Sequence, residues 1–268
     1  HYPLRRQRQM CIRDRIHPTA IINNAELGAD CEVGPYVILG DNVKVGDRTR
    51  LVANVFVDGD TEVGSDCIFF PYSSIGTLPQ DLKYTPCKSY VKIGNNNTFR
   101  EFVTVNRATE PDTFTLIGHN NLFMAYSHVA HNCRVGDFNV FANVATLAGH
   151  VVIGNHVILG GLVGVHQFCH LGDFAIIGGA TAVRKDVVPY GTVQGEPARV
   201  RGLNLVGLKR NNFSSDKIEE LKEIYKVLFF SELNTQQSLD KLESDFQKTE
   251  ELNMIIEFIK KSDRGIVK

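Results

Sequence analysis

Through the middle of the chain, every sixth residue is a large apolar one. Positions 27, 33, 39, 45, 51, 57, 63, 69 and 75 read Leu, Val, Leu, Val, Leu, Val, Val, Phe and Ile. The phase resumes at Ile93, Phe99 and Val105, then continues every six residues from Ile117 to Val183. Neither a helix, with about 3.6 residues per turn, nor a plain strand, with a period of two, repeats at six. Short strands joined by turns and wound into a solenoid do. The residue after the large position is Gly at 28, 34, 40, 46, 64, 76, 94, 118, 136, 154, 160, 172 and 178. That column predicts tight corners needing a permissive φ and no side chain. Four after the large position the residue is small or β-branched, as in Cys31, Val37, Val43, Thr49, Cys67, Ser73, Cys133, Ala145, Cys169 and Ala175. Large and small inward residues therefore alternate, and the cysteines in this column read as small buried hydrophobes.

Three short strands per coil make a triangular prism, and the hexads resemble the hexapeptide-repeat, left-handed parallel β-helix family. That resemblance implies the handedness and a coil of about 18 residues. The expected fold is mainly β: a left-handed parallel β-helix over residues 16–188, followed by a small C-terminal α-helical domain within 189–268. With coils ~4.8 Å apart, the rod would hold roughly nine or ten of them. Two polar, Pro-containing stretches, near 77–92 and 106–116, interrupt the pattern and read as loops thrown out to line a site. Past Val188 the hexads stop, so Pro189 to Asn212 is expected to be an irregular passage. Ser214, Ser215 and Asp216 offer helix N-caps, with Glu219 three after Asp216 as in a capping box. Ile218, Leu221, Tyr225, Leu228 and Phe229 follow at helical spacing, and amphipathic pieces recur around Leu239–Phe246 and Leu252–Ile259. These helices are expected to cap one end of the rod, whose strand edges would otherwise lie open.

The first fifteen residues carry five arginines against one Asp and lack the apolar core of a secretory signal. They read as a non-native tail. With 29 Lys+Arg against 30 Asp+Glu, the whole chain has a net charge of −1, which removes a charge-based case for nucleic acid. No apolar run approaches the ~20 residues of a membrane span. Six cysteines without CxxC spacing make no disulfide scaffold, and a reducing cytoplasm is the expected location.

His128, His131, His150 and His166 fall in the most regular part of the rod. His131 and His150 are 19 residues apart and His150 and His166 are 16 apart, so near-18 spacing places them by one edge of adjacent coils. Two chemistries suit such a cluster: a general base with supporting imidazoles, or a zinc site like that of prism-shaped carbonic anhydrases.

The words SHVAHNC (127–133), TLAGHV (146–151), GVHQF (164–168), QDLKY (80–84) and GLNLVGLKR (202–210) resemble the UDP-N-acetylglucosamine O-acyltransferase family, over essentially all of 16–268. The resemblance implies a homotrimer that moves an (R)-3-hydroxyacyl chain from acyl carrier protein to the sugar 3-hydroxyl of UDP-N-acetylglucosamine, opening lipid A synthesis, with no cofactor and no metal. It implies His131 as general base and Gly149 as oxyanion donor. Gln80, Asp81, Lys83, His128, His150, His166, Gln167, Asn204 and Arg210 match substrate-binding positions, and Gly179 matches a position that limits acyl length. A glycine there is expected to leave the groove open for a chain nearer fourteen carbons than ten. Three positions depart from the pattern: Asn132 replaces an Asp found in some members, Val206 a Glu, and Asn211 a second Arg. Six basic residues between 184 and 210, against Asp186 and Glu196, suit pyrophosphate and an acidic carrier protein. Another transferase built on the same hexads is the remaining alternative.

Overall fold

The structure is a computed structural model that describes residues 15–268. Residues 1–14 of the expected tail lie outside the described residues, whereas Arg15 opens the first strand and pairs with Glu32. Consecutive two-residue strands visit three sheets in rotation: Arg15–Ile16, Ile21–Ile22 and Glu26–Leu27 begin one sheet each. Among the described residues these sheets hold eleven, nine and eight strands, parallel throughout the rod. The chain winds as a left-handed parallel β-helix, as the hexads implied.

The six-residue columns are the core. Every large position from Val33 to Val183 is buried, and only Leu27, on the first coil, is half-buried. Like residues stack between coils: the Phe69 and Phe99 rings lie 4.7 Å apart, Phe99 and Phe123 4.8 Å, and Phe123 and Phe141 4.6 Å. Removing one such ring would cost about 3–5 kcal/mol. In the small column Cys31, Cys67, Cys133 and Cys169 are fully buried. Burial pushes the Cys67 and Cys169 thiols up to about 11 and Cys133 to about 12, which keeps them unreactive. Three buried asparagines, 97, 121 and 139, share this column in the central coils. The Asn121 backbone N–H donates to Asn97 Oδ1, that of Asn139 to Asn121 Oδ1 and that of Val157 to Asn139 Oδ1, so the ladder satisfies itself.

The corners differ from expectation in one respect. Of the thirteen repeated glycines only Gly76 has a positive φ; the left-handed residue falls two positions later, at Asp30, Tyr36, Asn42, Arg48, Tyr126, Asn132 and His150, for example. Glycine is required instead by stacking. A Cβ on Gly34 would sit 1.7 Å from the Val52 carbonyl oxygen one coil on.

The passage after Val188 is more ordered than its sequence suggested. Gly191–Gln194 continues the eleven-stranded sheet in parallel, and Arg199–Leu203 returns antiparallel to it, closing that edge. These strands lack hexads because they end the stack and pack against helices. At another edge the C-terminal tail does the covering, where Ile266 bridges to Asp186. Four helices follow: α1 (Leu205–Arg210), α2 (Ser215–Phe229), α3 (Thr235–Asp245) and α4 (Glu250–Lys260). Ser214 rather than Asp216 caps α2, and the capping box stands at Asn234 and Gln237 on α3. The helices share a second core with Val188 and Tyr190, and Tyr225 on α2 donates its hydroxyl to the Pro189 carbonyl at 2.5 Å. Among the described residues no helix is long and apolar enough to cross a membrane.

Candidate active site

The strand His128–Val129 ends at a corner whose left-handed residue is Asn132. One coil on, the same corner carries Thr146, Ala148, Gly149 and His150; the next carries Gly164, His166, Gln167 and Phe168. The histidines thus occupy neighbouring columns of one corner rather than a single vertical row. His166 stands in the column of Ala130 and Ala148, His131 in that of Gly149 and Gln167, and His150 in that of Asn132 and Phe168. The reason is simple: stacking repeats every 18 residues in this part of the rod, while the histidines are 19 and 16 apart.

The two interrupting loops fold over this corner. Asn106, 2% exposed, donates to Thr77 Oγ1 at 2.9 Å and the Leu78 carbonyl at 3.0 Å, which fixes the start of the first loop. Ser89 donates to the Ala108 carbonyl at 2.6 Å and ties the loops together. At the tip, Asp81 Oδ1 accepts from the Lys83 N–H at 2.9 Å, making a tight turn that presents both side chains. Corner and loop enclose a cleft of about 960 Å³ lined by Gln80, Asp81, Lys83, His128, His131, Gly149, His150, His166 and Gln167. Asn106, Phe168 and Arg184 also line it. The sequence reading did not single out Asn106 or Phe168, although Asn106 heads one flagged loop and Phe168 completes GVHQF.

Three residues matched from the sequence do not line this cleft. Asn204 is 5% exposed, and its amide is used as the α1 N-cap, accepting from the Gly207 N–H at 2.9 Å and donating to the Phe174 carbonyl at 2.8 Å. Arg210 is exposed at the end of α1, and Gly179 is exposed beside the Gly161 backbone.

His131 lies flat against Gly149. A Cβ at Gly149 would stand 2.4 Å from His131 Cε1 and 2.6 Å from Nε2, so only glycine admits the ring. Gly149 is buried, yet among the described residues its backbone N–H has no acceptor. His131 Nδ1 is 3.0 Å from Asn132 Oδ1. The amide's orientation is fixed by groups of unambiguous polarity. The Thr109 backbone N–H, which can only donate, meets Oδ1 at 3.0 Å, and the Glu110 carboxylate, which accepts when ionised, meets Nδ2 at 2.7 Å. With Oδ1 facing His131, Nδ1 must carry the proton, which leaves Nε2 as the basic nitrogen.

The neighbouring imidazoles are shifted toward the neutral form. Burial pushes His128 below its usual value, aided by the nearby His131, and its Nδ1 is 2.7 Å from Thr104 Oγ1. Burial likewise lowers His150, and His131 lowers it further, against Glu110 and Asp81, which raise it. The His150 ring meets His131 edge-on at 5.2 Å and stacks on Phe168 at 4.7 Å. Among the described residues no three His, Cys, Asp or Glu side chains converge as metal ligands. What the corner offers is an imidazole with its tautomer fixed by the Asn132 amide, beside it an N–H donor without an acceptor among the described residues, and a cleft with both polar and apolar walls.

Comparisons with known proteins place the chain in a family. A family model described as UDP-N-acetylglucosamine O-acyltransferase, domain 2, matches residues 186–267, and one described as bacterial transferase hexapeptide (six repeats) matches 24–59. An acyl-[acyl-carrier-protein]–UDP-N-acetylglucosamine O-acyltransferase of Thermodesulfovibrio yellowstonii is 46% identical over 255 residues, 94% of this chain and 99% of that one. Its counterpart in Thiobacillus denitrificans is 40% identical over the same shares. The crystal structure of UDP-N-acetylglucosamine O-acyltransferase from Moraxella catarrhalis superposes with a TM-score of 0.89 at 42% identity, covering 94% of this chain and 99% of that one. The corresponding structure from Bacteroides fragilis gives 0.92 at 36%, covering 94% and 100%.

Proposed function

The chain belongs to the UDP-N-acetylglucosamine O-acyltransferase family, and from that premise we propose that it transfers an (R)-3-hydroxyacyl chain from acyl carrier protein to the 3-hydroxyl of UDP-N-acetylglucosamine, the first step of lipid A synthesis. The observation that carries the assignment of roles is the packing of the His131 ring against Gly149 inside the cleft. His131 Nε2 takes the proton of the sugar 3-hydroxyl as its oxygen attacks the thioester carbon. The Gly149 N–H donates to the developing oxyanion, a donor fixed in place before reaction. Collapse breaks the C–S bond, and the His131 imidazolium returns its proton to the leaving thiolate.

His128 and His150, both disfavoured as cations, hold substrate without competing for the proton. Asp81 and Lys83 at the loop tip, with Gln80, suit sugar hydroxyls and phosphate, while His166, Gln167 and Phe168 line the wall on the next coil. Gly179 has no side chain to shorten an acyl groove. Arg184, Lys185, Arg199, Arg201, Lys209 and Arg210 are all exposed, which suits an acidic carrier protein.

A homotrimer is supported by another corner of the rod, where Tyr36, Tyr72, Phe102, Tyr126, Val144 and Leu162 stand exposed along its length. Asn54 interrupts the column after Tyr36, but from Tyr72 to Leu162 the apolar ridge is unbroken over five coils, and such a surface calls for a partner. Arg210, exposed and away from the single-chain cleft, would reach nucleotide across such an assembly, and the buried Asn204 would act there by holding the start of α1. The proposed setting is the cytoplasm.

The test is transfer by the purified protein with UDP-N-acetylglucosamine and a panel of hydroxyacyl carrier proteins. His131→Ala should lower kcat by ~10²-fold or more. A variant that kept most of its activity would overturn the mechanism.

A further inference from the structure

Glu110 lies in the second loop, outside every motif that marks the site, yet it closes a hydrogen-bonded chain that starts at His131. The His131 Nδ1–H donates to Asn132 Oδ1 at 3.0 Å, and Asn132 Nδ2 donates to Glu110 Oε2 at 2.7 Å and to Thr113 Oγ1 at 3.2 Å. Thr109 holds the same amide through its backbone N–H at 3.0 Å and its hydroxyl at 2.9 Å, and the Asn132 N–H donates to Thr115 Oγ1 at 2.9 Å. The amide therefore has no freedom to flip. An uncharged Asn beside a base can orient it but cannot balance the charge the base acquires. In this chain the carboxylate stands one residue further out, on a loop that reaches back over 22 positions of sequence.

We propose that Glu110 is a positioning residue that acts through the Asn132 amide, fixing the tautomer and ring orientation of His131 and balancing the imidazolium formed during transfer. The proposal rests on the reading of His131 as base. The Glu110 carboxyl itself stays ionised: burial raises it, but hydrogen bonds from Thr109 and Asn132 outweigh that and leave it below the ordinary glutamate range. Because Glu110 is exposed, water screens its charge and the effect is moderate, roughly tenfold, at the low end for outer partners of a functional histidine.

The experiment measures acyl transfer by the full chain between pH 5.5 and 9 for wild type, Glu110→Gln, Glu110→Gln in an Asn132→Asp background, and His131→Ala. The other charged or titratable groups around His131, namely His128, His150, Asp81 and Lys83, are common to all of them. Glu110→Gln should lower kcat roughly tenfold, leave KM for UDP-N-acetylglucosamine within about twofold, and move the acid limb of kcat/KM to lower pH, because the carboxylate favours the protonated base. With Asp at 132 supplying the charge directly, the same Glu110→Gln change should cost less than about twofold. An unmoved acid limb, or an equal loss in the Asn132→Asp background, would overturn the proposal. So would a lower Tm with raised KM and no pH shift, the mark of a purely structural loop residue. If Glu110→Gln is silent while His131→Ala is dead, this inference fails and the assigned mechanism stands. If both are active, the mechanism itself fails.

Discussion

Two corners of the same rod share a backbone and differ in most of what reaches solvent. At one, the left-handed positions are Tyr72, Phe102, Tyr126, Val144 and Leu162; at the other they are Asn132, His150 and Phe168. Their φ values all lie between 58° and 65°, so the turn is one and the same. At the first corner Tyr72, Phe102 and Tyr126 stack at 5.0 and 4.8 Å into an exposed apolar ladder. At the second, polar groups from adjacent coils and two loops converge on a single imidazole. A solenoid fixes its backbone from within, through the inward columns, and so leaves outward positions free to build a partner surface on one edge and chemistry on another.

That comparison can be broken most sharply at Gly149. Gly149→Ala puts a methyl where the His131 ring lies, and since a misplacement of about 1 Å can cost ~10²-fold, kcat should fall by about that factor. Circular dichroism should stay unchanged, because the inward columns are untouched. A variant with near-normal turnover would show that the ring has room to move, and that the second corner is not built as closely as the distances say.

At the ladder the expected effect is on assembly. If the proposed homotrimer packs along this ladder, Leu162, 64% exposed, changed to Glu should shift sedimentation toward the monomer. The rod's own stability should change by no more than about 0.5 kcal/mol, as for an exposed site. An unchanged sedimentation coefficient would remove the ladder as the interface of the proposed trimer.

The smallest effect concerns protons. His128 is held below its usual value by burial, then by His131, so the unfolded chain binds a proton more readily than the folded one. The resulting stability is present above the ordinary histidine value of about 6.5 and lost as pH falls through it toward the folded value. Tm should therefore drop by at most a few degrees between pH 7 and pH 5.5, and His128→Gln should flatten the slope. The ladder corner, which has no histidine among these residues, should contribute nothing to it.

Much of this was legible in the residues. Large and small columns named the buried side chains from Val33 to Val183, and the two loops were marked by the break in phase and their prolines. The glycine column was half legible: the sequence shows that a side chain is excluded, but not that the cause is the carbonyl of the next coil rather than φ, because that neighbour is 18 residues away. The strands Gly191–Gln194 and Arg199–Leu203 were not legible, since at the end of the stack they face helices and carry no six-residue repeat.

By itself the sequence determined the solenoid, because each coil repeats the demand of the one beneath it and the period records that demand directly. It also determined which corner holds the histidines. Only the tertiary structure decided which nitrogen of His131 faces the Asn132 amide and which carboxylate holds that amide. Those depend on a loop folding across 22 residues to set Glu110 against Asn132. A contact between two irregular segments leaves no period behind, so nothing in the order of residues could announce it.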